Sequence, residues 1–127
     1  MEKHHFEQAK LWLEGACHIA NHTTQQNDKY AVAIAMAIHA IIKANDALTF
    51  KYMNITARRH DDARRLFEDL IKKNLIKSEY AQYKQIIQDA IVDKAKAEYR
   101  GAFFSKKDFE EMKRKAEKFI LMVEKTI

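Results

Sequence analysis

The stretch AVAIAMAIHAIIKANDAL, residues 31–48, decides the fold. Ala33, Ala37, Ala40, Ala44 and Ala47 recur at spacings of three and four, and Ile34, Ile38, Ile41, Asn45 and Leu48 form a second seam beside them. That recurrence is the period of an α-helix; a strand would alternate every second residue. The alanines let a neighbouring helix come close, and the isoleucines fill the opposite side. A helix apolar nearly all round belongs at the centre of a bundle or at a dimer interface. It is predicted to run over 28–52, with Asn27 or Asp28 as its cap. Its most apolar run, 30–42, includes His39 and falls short of the roughly 20 residues that span a bilayer. No membrane segment is expected.

Outward from this helix the same period continues. A first helix over 3–21 carries Phe6, Ala9, Leu13, Ala16 and Ala20 on one stripe, widened by Trp12 and Ile19, and residues 22–27 read as a polar loop. Residues 54–56 break the pattern. A third helix over 57–73 turns Ala63, Leu66, Phe67, Leu70 and Ile71 inward. Asp61 and Asp62 in its first turns and Lys72 and Lys73 in its last suit the helix dipole, and Asn74 stops it. A fourth helix over 78–99 is expected to be capped by Ser78, to bury Tyr80, Tyr83, Ile87, Ala90 and Ile91, and to end at Gly101. Ser105 with Asp108 is a variant capping box opening a fifth helix, on which Phe109, Met112, Ala116, Phe119 and Val123 repeat. The expectation is an all-α, up-and-down bundle of about five helices forming one domain over residues 1–127.

Composition points the same way. The 127 residues include no proline and two glycines, Gly15 and Gly101, which disfavours folds that need a breaker at every turn. The single cysteine, Cys17, excludes an intramolecular disulfide and reads as a structural thiol in a helical stripe. The N-terminal residues are polar and lack the apolar core of a signal peptide; a cytoplasmic location is expected. There is no phosphate-binding glycine loop and no nucleophile motif. His18 and His22 have a two-ligand spacing, but no carboxylate or cysteine joins them at a known metal-site spacing. No metal and no cofactor are expected.

Three stretches carry a resemblance: residues 31–48, with their histidine and Asn-Asp pair; RRHDDARRLF, residues 58–67, with a histidine at the start of a middle helix; and DKAKAEYRG, residues 93–101, followed by a capped helix ending AEKF. In their order and spacing these resemble the small HEPN-domain proteins. The resemblance implies five helices around an antiparallel long pair, frequent dimerisation, RNA as a common substrate in toxin–antitoxin and defence systems, and a minimal nucleotidyltransferase as a frequent protein partner. Catalytic members carry an arginine, then four to six residues, then a histidine, and cleave RNA without metal. Here no arginine stands at that distance before a histidine; the matching place holds Lys94, four residues, and Tyr99. Lysine can hold a phosphate as a point charge, but tyrosine, with a pKa near 10, is a poor base at neutral pH.

The expected function is therefore a dimeric HEPN-like module, without turnover, that binds RNA or a protein partner. The alternatives are a metal-independent ribonuclease toxin using Lys94, Tyr99 and His60, and an acceptor partner of a nucleotidyltransferase, modified at Tyr99. Candidate binding residues are Lys94, Tyr99, Arg58, Arg59 and Arg64. His39, Lys43 and Asp46 share a helical face, and with His60 they form either a ligand pocket or a polar network that fixes helix register; Asn45 reads as a register device. The basic runs, which include Arg65 and Lys113 to Lys115, read as solvated faces with local ion pairs, and as an RNA-facing patch if they converge with Lys94. The formal net charge of +5 is compatible with a nucleic-acid partner.

Overall fold

The computed structural model describes residues 1–22, 28–99 and 103–127, without the side chains of Glu98 and Tyr99. Asn27 and Gly101, expected as a cap and a stop, lie outside the described residues. Five α-helices form a bundle: α1 (Glu2–Ala20), α2 (Asp28–Met53), α3 (His60–Lys72), α4 (Lys84–Tyr99) and α5 (Lys106–Thr126). A 3-10 helix over Ser78–Tyr83 precedes α4, and no strand occurs among the described residues.

α2 is the central post and packs against every other α-helix. Both of its seams are buried: Ala33, Ala37, Ala40, Ala44 and Ala47 on one, Ile34, Ile38, Ile41, Asn45 and Leu48 on the other. Its most extensive partner is α1. A Cβ on Gly15 would lie 2.8 Å from Met36 Cε, so the tip of Met36 packs over the glycine and would have to shift for a methyl there. The rings of His5 and Phe50 lie 5.7 Å apart and those of Trp12 and His39 4.4 Å apart. The pairing therefore descends α2 as it climbs α1, and the two run antiparallel. Both seams are thus covered by helices of the same chain, as expected of a helix at the centre of a bundle. α2 is also longer than its most apolar run. Over 26 residues it is long and apolar enough to cross a bilayer, yet two thirds of its most apolar window is buried against other helices.

The chain alternates direction at each joint except one. After α2, residues 54–59 double back along it. Asn54 takes a left-handed conformation (φ 57°), and the Ala57 N–H donates to buried Asp46 Oδ1 at 3.1 Å. α3 then runs in the same sense as α2: His60 lies by His39, and Ala63 accepts from Asn45 Nδ2 at 3.0 Å. This return costs α3 its expected first turn. It starts at His60 rather than near 57, because Arg59 is extended (φ −126°, ψ 152°). Asn74 ends α3 as expected, with φ 55° and the paired bonds Leu75 N–H to Leu70 O and Asn74 N–H to Ile71 O, both 3.0 Å. These are the two bonds of a Schellman stop.

Ser78 does not cap an α-helix. The 3-10 segment that it opens has Lys77 at its N-cap and no side-chain cap bond. A 3-10 helix brings residues three apart into register, and Tyr80 and Tyr83 stack edge to face with centroids 5.9 Å apart. α4 returns antiparallel to α3, with Arg64 Nη1 on Gln88 Oε1 at 2.7 Å and Lys84 Nζ 3.7 Å from Glu68. α5 opens with the expected capping box: Asp108 N–H donates to Ser105 Oγ at 3.2 Å, and Ser105 N–H to Asp108 Oδ2 at 2.8 Å. Its Phe109, Met112, Ala116, Phe119 and Val123 are all buried.

Candidate functional site

Four helices each send side chains to one groove. Trp12 comes from the edge of the α1 stripe and is 38% exposed. His39 lies on the one flank of α2 that α1 and α5 leave partly uncovered, and is half-buried. His60 is the first residue of α3, delivered there by the returning segment. Lys94 is half-buried on α4. Trp12 meets His39 edge to face at 4.4 Å, and His39 meets His60 at 5.9 Å between centroids.

The groove has two adjoining hollows. One, of about 360 Å³, is lined by Trp12, Val32, Ala35, Met36, His39, His60 and Lys94. The other, of about 400 Å³, is lined by Arg59, His60, Asp61, Ile91, Lys94 and Ala95. His60 and Lys94 belong to both and so stand at the junction. The first hollow is largely aromatic and aliphatic; the second mixes the charged and polar side chains of Arg59, His60, Asp61 and Lys94 with Ile91 and Ala95. Desolvation by burial, helped by His60, Lys43 and Lys94, holds His39 below the ordinary imidazole value. A neutral imidazole can donate or accept at phosphate and base edges and becomes a cation on protonation.

The expected polar cluster is divided. His39 and His60 are brought together. Asp46, on the same helical face, is 5% exposed and instead accepts the Ala57 amide. Burial raises its pKa, and the Ala57 bond, Lys43 and His5 oppose the rise. Asn45 is fully buried, and its Nδ2 joins α2 to α3, while its Oδ1 has no hydrogen-bond partner among the described residues. Asn45 and Asp46 are thus interior; His39 and His60 belong to the groove rim.

The arginines divide as well. Arg59 lines the groove, and Arg58 is exposed beside it. Arg64 faces elsewhere, held by Gln88 and by Glu68 at 3.6 Å. Arg65 pairs with Asp62 and Asp69 on its own helix. Lys115, of the second basic run, pairs with Asp89 at 3.1 Å, away from the groove. Tyr99 closes α4, and its side chain lies outside the described residues. Cys17 is half-buried, and burial raises its thiol pKa, so it stays in the weakly reactive protonated form. Among the described residues no group of three or more His, Cys, Asp or Glu is placed to hold a metal.

Trp12 is the residue that sequence reasoning did not assign to a site. Its signal was positional: the chain's single tryptophan sits off the main α1 stripe, where a large ring reaches the bundle edge rather than its centre. No family model and no curated protein matches the chain.

Proposed function

We propose that the protein is a non-catalytic helical module that binds single-stranded RNA in the groove shared by α1 to α4. One observation carries the reading: Lys94 and His60 stand between an aromatic hollow at Trp12 and His39 and a second hollow lined by Arg59 and Asp61. Single-stranded nucleic acid asks for that combination. Bases stack on aromatic faces, and cations track the phosphates. A duplex hides its bases from such a hollow, so the aromatic half favours a single strand. The resemblance to HEPN domains selects RNA among polyanions. The absence of a histidine four to six residues after any arginine supports binding without turnover.

The test is fluorescence anisotropy with a labelled ten-nucleotide RNA at low salt. Lys94→Glu and Arg59→Glu should each abolish binding, and the wild-type affinity should fall with salt at a slope of about −0.7 per phosphate neutralised. Trp12→Ala should cost about 1–3 kcal/mol, the range for one stacked base. Arg64→Glu should bind as wild type, since Arg64 faces Gln88 and Glu68. Binding unaffected by Lys94→Glu would overturn the assignment of the groove. Metal-independent cleavage by the wild type, lost in His39→Gln, would overturn the non-catalytic half.

A further inference from the structure

We infer that the groove is gated by protons, with His39 and His60 acting as a pair that takes up protons as the phosphodiester binds and so ties affinity to pH. The inference rests on the RNA-binding reading and names the regulation of that site. Its basis is geometric. The two rings lie 5.9 Å apart; both line the aromatic hollow, and His60 also lines the hollow at Arg59. A phosphate bound at the junction would bring its negative charge beside His60, one ring away from His39.

The charges facing the pair come from every element around it. α1 contributes Trp12, with His5 further along by Phe50. α2 contributes Lys43, which acts on His39, and Asp46, which acts on His5 rather than on the pair. α3 and the segment before it contribute Arg59 and Asp61, and α4 contributes Lys94. Burial disfavours protonation of His39 in the empty groove, and His60, Lys43 and Lys94 all disfavour it further. His39 is held below its ordinary value. A phosphodiester reverses that balance by placing negative charge where the imidazolium ions form. Linkage then runs both ways: binding raises the imidazole pKa values, and lowering the pH tightens binding. Each proton taken up can contribute up to about tenfold in affinity per pH unit.

The experiment uses an oligouridylate ten-mer, whose bases do not titrate in this range, with the full chain at pH 7.5 and 5.5 and fixed ionic strength. Circular dichroism at both pH values establishes that the fold is kept. The wild type should bind at least about tenfold more tightly at pH 5.5. The double variant His39→Gln, His60→Gln should bind with near-constant affinity, its remaining histidines being outside the groove. Proton NMR of the wild-type imidazoles gives a second reading that needs no variant: two resonances should titrate at higher pH when the oligonucleotide is bound. Binding that is salt-sensitive but equal at the two pH values sinks the gate and leaves the RNA reading standing. A double variant with the wild-type pH dependence, or imidazoles unmoved by the oligonucleotide, also sinks it. No binding at either pH at low salt removes the RNA reading and the gate together.

Discussion

At the scale of single residues, adjacent polar side chains on α2 do different work. Asn45 lies on the isoleucine seam, fully buried, and spends its amide on the Ala63 carbonyl. It fixes where α3 sits along α2, and so where His60 arrives. Replacing Asn45 with alanine should cost about 1–3 kcal/mol in urea unfolding, from the lost bond and the space left behind. Asn45→Leu refills that space and removes the buried Oδ1, so it should cost less than alanine. If alanine were neutral, the α2–α3 register would be held by packing alone. Asp46, one residue on, pins the Ala57 amide. The sequence showed that His39, Lys43 and Asp46 share a face, but not how that face is divided. The division depends on a backbone amide eleven residues away, which no helical periodicity encodes.

At the scale of elements, the legible parts were those set by local chemistry. The Ser105–Asp108 box forms as its spacing implies, and Ser105→Ala should lower stability by about 0.5–2 kcal/mol, read from the midpoint of thermal or urea unfolding. Asn74 ends α3 in the left-handed conformation, which asparagine tolerates better than most residues. The misread parts were those set by tertiary demands. Ser78 has the chemistry of an N-cap, but the chain there tightens into a 3-10 turn that stacks Tyr80 on Tyr83 and leads out of buried Ile76. Residues 57–59 carry no helix breaker, yet they stay outside the helix, where Asp46 takes the Ala57 amide. Local propensity therefore yielded α1, α2, the α3 stop and the α5 start. It could not yield the direction of α3, on which the groove depends.

At the scale of the whole molecule, the bundle answers the question raised by the apolar richness of α2. Its seams are covered by α1, α3, α4 and α5 of the same chain, so the helix needs no second copy to hide them. We therefore expect light scattering at about 10 μM, a concentration at which micromolar interfaces are populated, to give the monomer mass. A dimer mass would place the contact on the exposed apolar strip of Leu11, Trp12 and Val32, and Leu11→Glu should then dissociate it. The charge excess is likewise unevenly used. Arg64, Arg65 and Lys115 form ion pairs away from the groove, and Arg59 and Lys94 line it. Net charge alone could not separate these groups, because both kinds lie on helices of mixed sign.

The doubled-back segment 54–59 has one more consequence. It is irregular backbone between two helices, it presents exposed Arg58 and Arg59 side by side, and Asp46 ties it to α2 through the Ala57 amide. A protease that cuts after basic residues needs an extended, locally opened stretch of that kind. A single cut there would leave Trp12 and His39 on one fragment and His60 and Lys94 on the other. The helices could persist in each piece while the groove lost its continuity, so the fold places the most cleavable bond of this region at the seam of its own binding surface.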